Sequence, residues 1–135
     1  MKKLTLCIIA TITLFFLCTA FFQDYDLGKS IVRGKEVYVS NCMNCHLADG
    51  SATPDRYPPL AKADYLHKPA DSLIIIVLEG QTGEIVVNGK KYNDEMLAQN
   101  YLSDAEIADV LNYIRNSWGN KMAVIKPEQV KALRK

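Results

Sequence analysis

Residues 33–46 read Arg-Gly-Lys-Glu-Val-Tyr-Val-Ser-Asn-Cys42-Met43-Asn44-Cys45-His46, a helical stretch that runs into a C-x-x-C-H motif. The spacing carries its own chemistry. Two thiols three residues apart at a helix end can both reach the vinyl groups on one edge of a porphyrin. The His that follows then lies beneath the ring, placed to bind iron, so the pattern reads as a covalent haem attachment site. Competing readings of the same five residues are weaker. A thioredoxin-type dithiol needs a βαβ setting, and none precedes it. A tetrahedral zinc site needs further spaced ligands, and outside the motif the exported part of the chain offers only His67.

Upstream of the motif, Gly34 and Tyr38 align with Ile31 on one face of a helix expected over Lys29–Ser40, with Val37 beside them. A glycine inside a helix costs about 1 kcal/mol relative to Ala. The cost is reasonable if a second helix must come close at Gly34. Further upstream, Lys2 and Lys3 precede an uncharged run from Leu4 to Phe22. As a helix this run would rise about 28 Å, enough to cross a bilayer core. The outline is that of a secretory signal peptide over residues 1–20, with Cys18-Thr19-Ala20 near the cut. An uncleaved membrane anchor has the same features. Lipidation at Cys18 is disfavoured by Leu17, where a small residue is expected. All three readings place the rest of the chain outside the cytoplasm. The chain has 135 residues, with 16 Lys+Arg against 15 Asp+Glu. Loss of Lys2 and Lys3 with the leader leaves 14 against 15, which excludes a strongly basic nucleic-acid binder. It also leaves Cys42 and Cys45 as the only cysteines, too close together to staple a fold.

Downstream of the motif, residues 47–60 carry Gly50, Pro54, Pro58 and Pro59 and are expected to be loop. One or two helical turns follow at Ala61–Leu66. Pro69 then opens a helix to about Glu79, with Leu73, Ile74, Ile76, Val77 and Leu78 inward and Gly80 as its stop. Asn88-Gly89 predicts a two-stranded hairpin over 84–92. Ser103 and Glu106 form a capping box with Leu102 as its staple. The helix they start has an apolar stripe at Ile107, Val110, Leu111, Ile114 and Trp118 and is expected to end at Gly119. A short helix beginning at Pro127, with Val130 and Leu133 inward, completes a mostly α fold with one hairpin. The expected organisation is a leader at 1–20, a lead-in at 21–28, a haem domain at 29–119 and a C-terminal extension at 120–135.

Haem iron has a second axial position, whose ligand decides between electron transfer and ligand chemistry. The candidates are His67, Met43, Met96 and Met122. Met43 lies within the attachment turn, Met122 follows the helix stop, and His67 reads as a solvated turn residue. Met96 stands in Asn93-Asp94-Glu95-Met96-Leu97-Ala98-Gln99-Asn100, too polar and aperiodic for a core segment, and is the favoured ligand.

The chain resembles the bacterial class I (monohaem) c-type cytochromes over roughly Lys29–Trp118. The resemblance rests on RGKEVYVSNCMNCH (33–46), YPPLAKADYL (57–66), LEGQTGEIVVNGKKYNDEM (78–96) and LSDAEIADVLNYIRNSWGN (102–120). It implies a cytochrome c-like helical domain around one haem c. Cys42 and Cys45 would form the thioethers, and His46 and Met96 would bind the iron. A Pro58 carbonyl, with Pro59 as the alternative, would hold the His46 ring. The first helix would cross the last at Gly34 and Tyr38, near Leu111, Tyr113 and Ile114. Leu97 departs from the family, which usually has Pro after the distal Met; this puts the strength of that ligation in question. The implied function is a monomeric, exported one-electron carrier, not an enzyme, serving redox proteins in the periplasm or at the outer face of the inner membrane. Alternatives are a haem-bearing subunit of an oxidase or dehydrogenase complex, a gas sensor or peroxidase-like enzyme if Met96 does not ligate, and a disulfide reductase using Cys42 and Cys45. Lys90 and Lys91 at the hairpin form either a docking patch or a solvated turn.

Overall fold

The computed structural model describes residues 25–135, so the leader expected at 1–20 lies outside the described residues. In chain order the elements are α1 (Leu27–Asn41), α2 (Met43–His46), a 3-10 turn (Asp64–His67), α3 (Ala70–Glu79), β1 (Ile85–Val87), β2 (Lys90–Tyr92), α4 (Asp104–Ile114) and α5 (Pro127–Leu133). The result is the mostly helical cytochrome c-like fold with one small antiparallel ribbon. No helix among the described residues is long and apolar enough to cross a membrane.

Helix α1 starts two residues before the expected Lys29, because the Asp26 carboxylate accepts the Lys29 N–H and caps it. Its inward line is Ser30, Gly34 and Tyr38, and Ile31 is only half-buried. The correction has a physical cause. Ser30 donates to Asp109 at 2.6 Å and accepts from Asn112 at 2.9 Å, both on α4. A hydroxyl can therefore occupy the buried line that apolar spacing assigns to Ile31. Gly34 lies at the crossing itself: an added Cβ would sit 1.9 Å from the Asp109 carbonyl oxygen. The α1–α4 contact is the main helix pair of the fold, and Tyr38, Tyr113 and Trp118 pack their rings at 5.2–5.3 Å beside it.

Helix α4 carries the capping box at Ser103 and Glu106, but it ends at Ile114, not at Gly119. Asparagine side chains take over its last carbonyls, Asn116 at Asn112 and Asn120 at Ile114, and let the chain turn. Trp118 adopts φ +53° after the helix and still packs on the core. Helix α3 buries Leu73, Ile74, Val77 and Leu78, with Ile76 half-buried and Gly80 closing it at φ +82°. In the hairpin Asn88 and Gly89 both have positive φ, and Ile85 pairs with Tyr92. The C-terminal segment folds back through fully buried Ile125 and Val130 against α3 and α4. Leu133 is half-buried on the same cluster.

Candidate functional site

The C-x-x-C-H motif runs from the C-cap of α1 at Cys42 through α2, one tight turn that is fixed at nearly every carbonyl. Cys42 ends α1, its N–H bonded to Tyr38 at 2.8 Å, and its own carbonyl accepts from Cys45 and His46. The returning loop donates from Ala52 to His46 and from Thr53 to Cys45. The Tyr38 hydroxyl donates to the Leu47 carbonyl at 2.7 Å. Relative positions of the two thiols and the imidazole are thus set by backbone bonds before any ligand contributes.

Both cysteines are free thiols and half-buried. Burial, and secondarily the neighbouring Cys45, pushes the Cys42 thiol up to about 11. The nucleophile of a redox-active dithiol needs the opposite shift, toward thiolate at neutral pH. The His46 ring lies 3.2 Å through Nδ1 from the Pro58 carbonyl oxygen. Burial lowers its pKa, with the Pro58 contact acting weakly against this. The imidazole is held neutral, as a metal-binding nitrogen must be. Nδ1 donates to Pro58, and among the described residues Nε2 has no hydrogen-bond partner. Two uncommitted thiols at the attachment spacing and a neutral, oriented imidazole with one free nitrogen are a donor set that fits a haem c. By contrast, no three His, Cys, Asp or Glu side chains among the described residues gather as ligands for a bare ion.

The loop that delivers Pro58 is anchored where the chain passes Trp118. Gly50 has φ +69°, its carbonyl accepts from Leu60 and Ala61, and an added Cβ would meet the Trp118 ring at 2.6 Å. Arg56 in the same loop pairs with Asp94 at 2.8 Å, tying it to the segment just before Met96.

Met96 hangs from a different support. Its N–H and carbonyl both bond to Gln81 at 2.9 Å, and Gly80 lies so close that an added Cβ would be 2.5 Å from the Met96 oxygen. The side chain is half-buried against the same apolar cluster that Cys42 and Met43 border. Leu97, next in the chain, is 69% exposed. Met43 and Met122 are half-buried and packed on the core, and His67 is exposed at the end of the 3-10 turn. Lys90 is paired with Asp55 and Lys91 with Glu84, so neither is a free positive charge.

Sequence reasoning missed the polar residues that stitch this frame. Asp109 is buried in α4 and accepts from Ser30, Tyr25 and Arg33. Asn112 joins Ser30 to the backbone of Ile125. Asn120 donates to the Leu60 carbonyl beside the Pro58 loop. Their only trace in the sequence is polar residues at 109 and 112 flanking an apolar stripe, a pattern that solvent-facing positions share.

A cytochrome c family model matches residues 31–118. Cytochrome c-552 of Thermus thermophilus is 41% identical over 124 residues, covering 85% of this chain and 83% of that protein. The gluconate 2-dehydrogenase cytochrome c subunit of Pantoea cypripedii is 37% identical over 127 residues, covering 87% of this chain and 29% of that protein. The cytochrome c subunit of a quinone-dependent alcohol dehydrogenase from Gluconobacter oxydans is 35% identical over 88 residues, covering 64% of this chain and 18% of that protein.

Proposed function

The chain belongs to the cytochrome c family as a bacterial class I c-type cytochrome, an electron-transfer protein, and we propose that it is an exported carrier with one covalent, His/Met-ligated haem c. Cys42 and Cys45 would hold the group through two thioethers, with His46 Nε2 and the Met96 sulfur as its axial ligands. When bound, the haem supplies a one-electron Fe(II)/Fe(III) couple, and a Met ligand raises its potential. This chain's own residues do the rest. The Pro58 carbonyl holds the His46 tautomer and raises its basicity. The Gln81 pairing fixes the Met96 backbone, so that the Met96 sulfur would be held toward the bound group in place of water or a small ligand. Redox proteins would dock transiently, over less than about 1,200 Å².

The observation that carries this reading is the His46 ring, fixed through Nδ1 by the Pro58 carbonyl at 3.2 Å within the turn that also bears Cys42 and Cys45. Co-expression with a haem-maturation system tests it. The expected product keeps one haem after denaturation, and Cys42→Ala/Cys45→Ala loses it on extraction. Haem extractable from the wild type would overturn the assignment. The relatives named as dehydrogenase subunits favour a second arrangement, a haem-bearing subunit within a dehydrogenase complex, which a retained leader would hold at the membrane. Intact mass separates the two: loss of residues 1–20 supports a free periplasmic protein, and their retention supports an anchored one.

A further inference from the structure

The Met96 segment is gripped from outside the family-matched region. Beyond residue 118 the chain turns back, forms α5 and ends beside the two stretches that bracket Met96. The Arg134 guanidinium donates from Nε to the Asp104 carboxylate at 2.7 Å, from Nη1 to the Asn100 carbonyl at 2.8 Å and from Nη2 to the Leu102 carbonyl at 2.7 Å. Lys135 pairs with Glu79, immediately before the Gly80-Gln81 support. That lysine is 86% exposed, so its ion pair adds little. The Arg134 side chain is only 30% exposed and spreads a rigid fork over two main-chain carbonyls and a carboxylate. Those two carbonyls lie where the loop from Met96 rejoins α4, and the loop between has no proline to stiffen it: Leu97 stands next to Met96 and is exposed.

We propose that Arg134 is a positioning residue for Met96, a C-terminal strap that keeps the ligand loop closed on the iron. The proposal rests on the reading of Met96 as the second axial ligand. When the 97–102 segment swings out, Met96 is released, and Arg134 opposes this at the far end of the segment together with the Gln99 N–H bond to the Val77 carbonyl at 2.8 Å. An external ligand competes only with the open fraction, so its apparent affinity scales with that fraction. Releasing the strap raises it. A residue that merely stabilised the fold would lower the melting temperature without changing ligand access well below the melt.

Imidazole titration of the oxidised, full-length holoprotein, well below its melting temperature, reads the difference. Arg134→Ala is expected to bind imidazole about tenfold more tightly than wild type, about 1.4 kcal/mol. Arg134→Lys, which keeps the charge and loses the fork, should fall between them. Val110→Ala, a core change away from the strap, controls for lost stability and should match wild type. An Arg134→Ala affinity within about threefold of Val110→Ala would overturn the proposal. If the Ala variant fails to retain haem, Arg134→Lys decides: a gain of about twofold or more over Val110→Ala is expected, and an affinity equal to that of Val110→Ala would overturn the proposal. Met96→Ala separates the premise from the strap. Met96→Ala binding imidazole no more tightly than wild type would sink the ligation itself, and the strap with it. A Met96→Ala gain without an Arg134→Ala gain sinks the strap alone.

Discussion

Gly34→Ala places one methyl group where α1 crosses α4. The added carbon would lie 1.9 Å from the Asp109 carbonyl oxygen, 2.4 Å from its carbonyl carbon and 2.9 Å from the Tyr113 Cβ. Two of these are backbone atoms within a helix, which cannot rotate away. Restoring ordinary contact at about 3.4 Å needs the helices to part by roughly 1.5 Å. Overpacking of this kind costs about 1–3 kcal/mol. A separation of that size also breaks the Ser30–Asp109 bond at 2.6 Å and the Asn112–Ser30 bond at 2.9 Å, each worth about 1 kcal/mol. Against this stands a gain of about 1 kcal/mol in helix propensity. The net is about 3 kcal/mol, or about 12 °C in melting temperature for a domain of this size. Gly28→Ala is the internal control. It lies in the first turn of the same helix, and its added carbon would meet only the Asp26 carboxylate at 3.3 Å. Its melting temperature should stay within a few degrees of wild type, by about 1 kcal/mol or less. Thermal melts of the two holoproteins by far-ultraviolet circular dichroism give the comparison. A Gly34→Ala protein melting within about 2 °C of wild type would refute the close crossing.

Asp109→Ala removes the acceptor shared by Ser30, Tyr25 and Arg33 and should cost about 3 kcal/mol in denaturant unfolding. Arg33→Ala leaves the Asp109 carboxylate, only 4% exposed, with Ser30 and Tyr25 as donors but no cation, and should also cost about 3 kcal/mol. A loss below about 1 kcal/mol from either substitution would contradict a network centred on the buried carboxylate. Tyr38→Phe deletes the bond to the Leu47 carbonyl and should cost about 1 kcal/mol at pH 7. Burial raises the Tyr38 pKa in the folded protein, so the neutral phenol contributes its full stability below the unfolded value near 10. As pH climbs past that value the unfolded chain loses its proton first, and stability falls. Tyr38→Phe should flatten this alkaline fall in melts at pH 9 and 11; an unchanged slope would assign it to other groups.

The features legible in the sequence are those whose physics is local. Asn88-Gly89 sets its own turn, Ser103 and Glu106 satisfy each other, and Gly34 shows as a glycine where a helix would not want one. Local reasoning failed where a partner far along the chain decides. Ser30 displaces Ile31 from the buried line because Asp109, 79 residues away, accepts its proton. Helix α4 stops at Ile114 because Asn116 and Asn120 take its carbonyls, and nothing in the apolar stripe through Trp118 announces that. Arg56 and Asp94 are 38 residues apart, and Arg134 and Asp104 are 30. Single charges in loops of that separation carry no pattern. At the site, the cysteine and histidine spacing was plain, and the 3.2 Å contact between His46 and Pro58 joins them to the loop expected to hold the ring. Met96 entered by elimination and by its polar surroundings. Its backbone pairing with Gln81 spans 15 residues and left no mark in either segment.

The central claim is that this chain closes both axial positions of a covalently held haem and therefore only passes electrons. Optical spectra of reduced holoprotein with and without carbon monoxide, for wild type and Met96→Ala, address it most directly. The account predicts a low-spin wild-type spectrum that carbon monoxide leaves unmoved, and a Met96→Ala protein that binds the gas at once. Ready carbon monoxide binding by wild type, unchanged in Met96→Ala, would mean that Met96 never closed the site. It would transfer the protein from electron carriers to haem sensors or peroxidase-like enzymes.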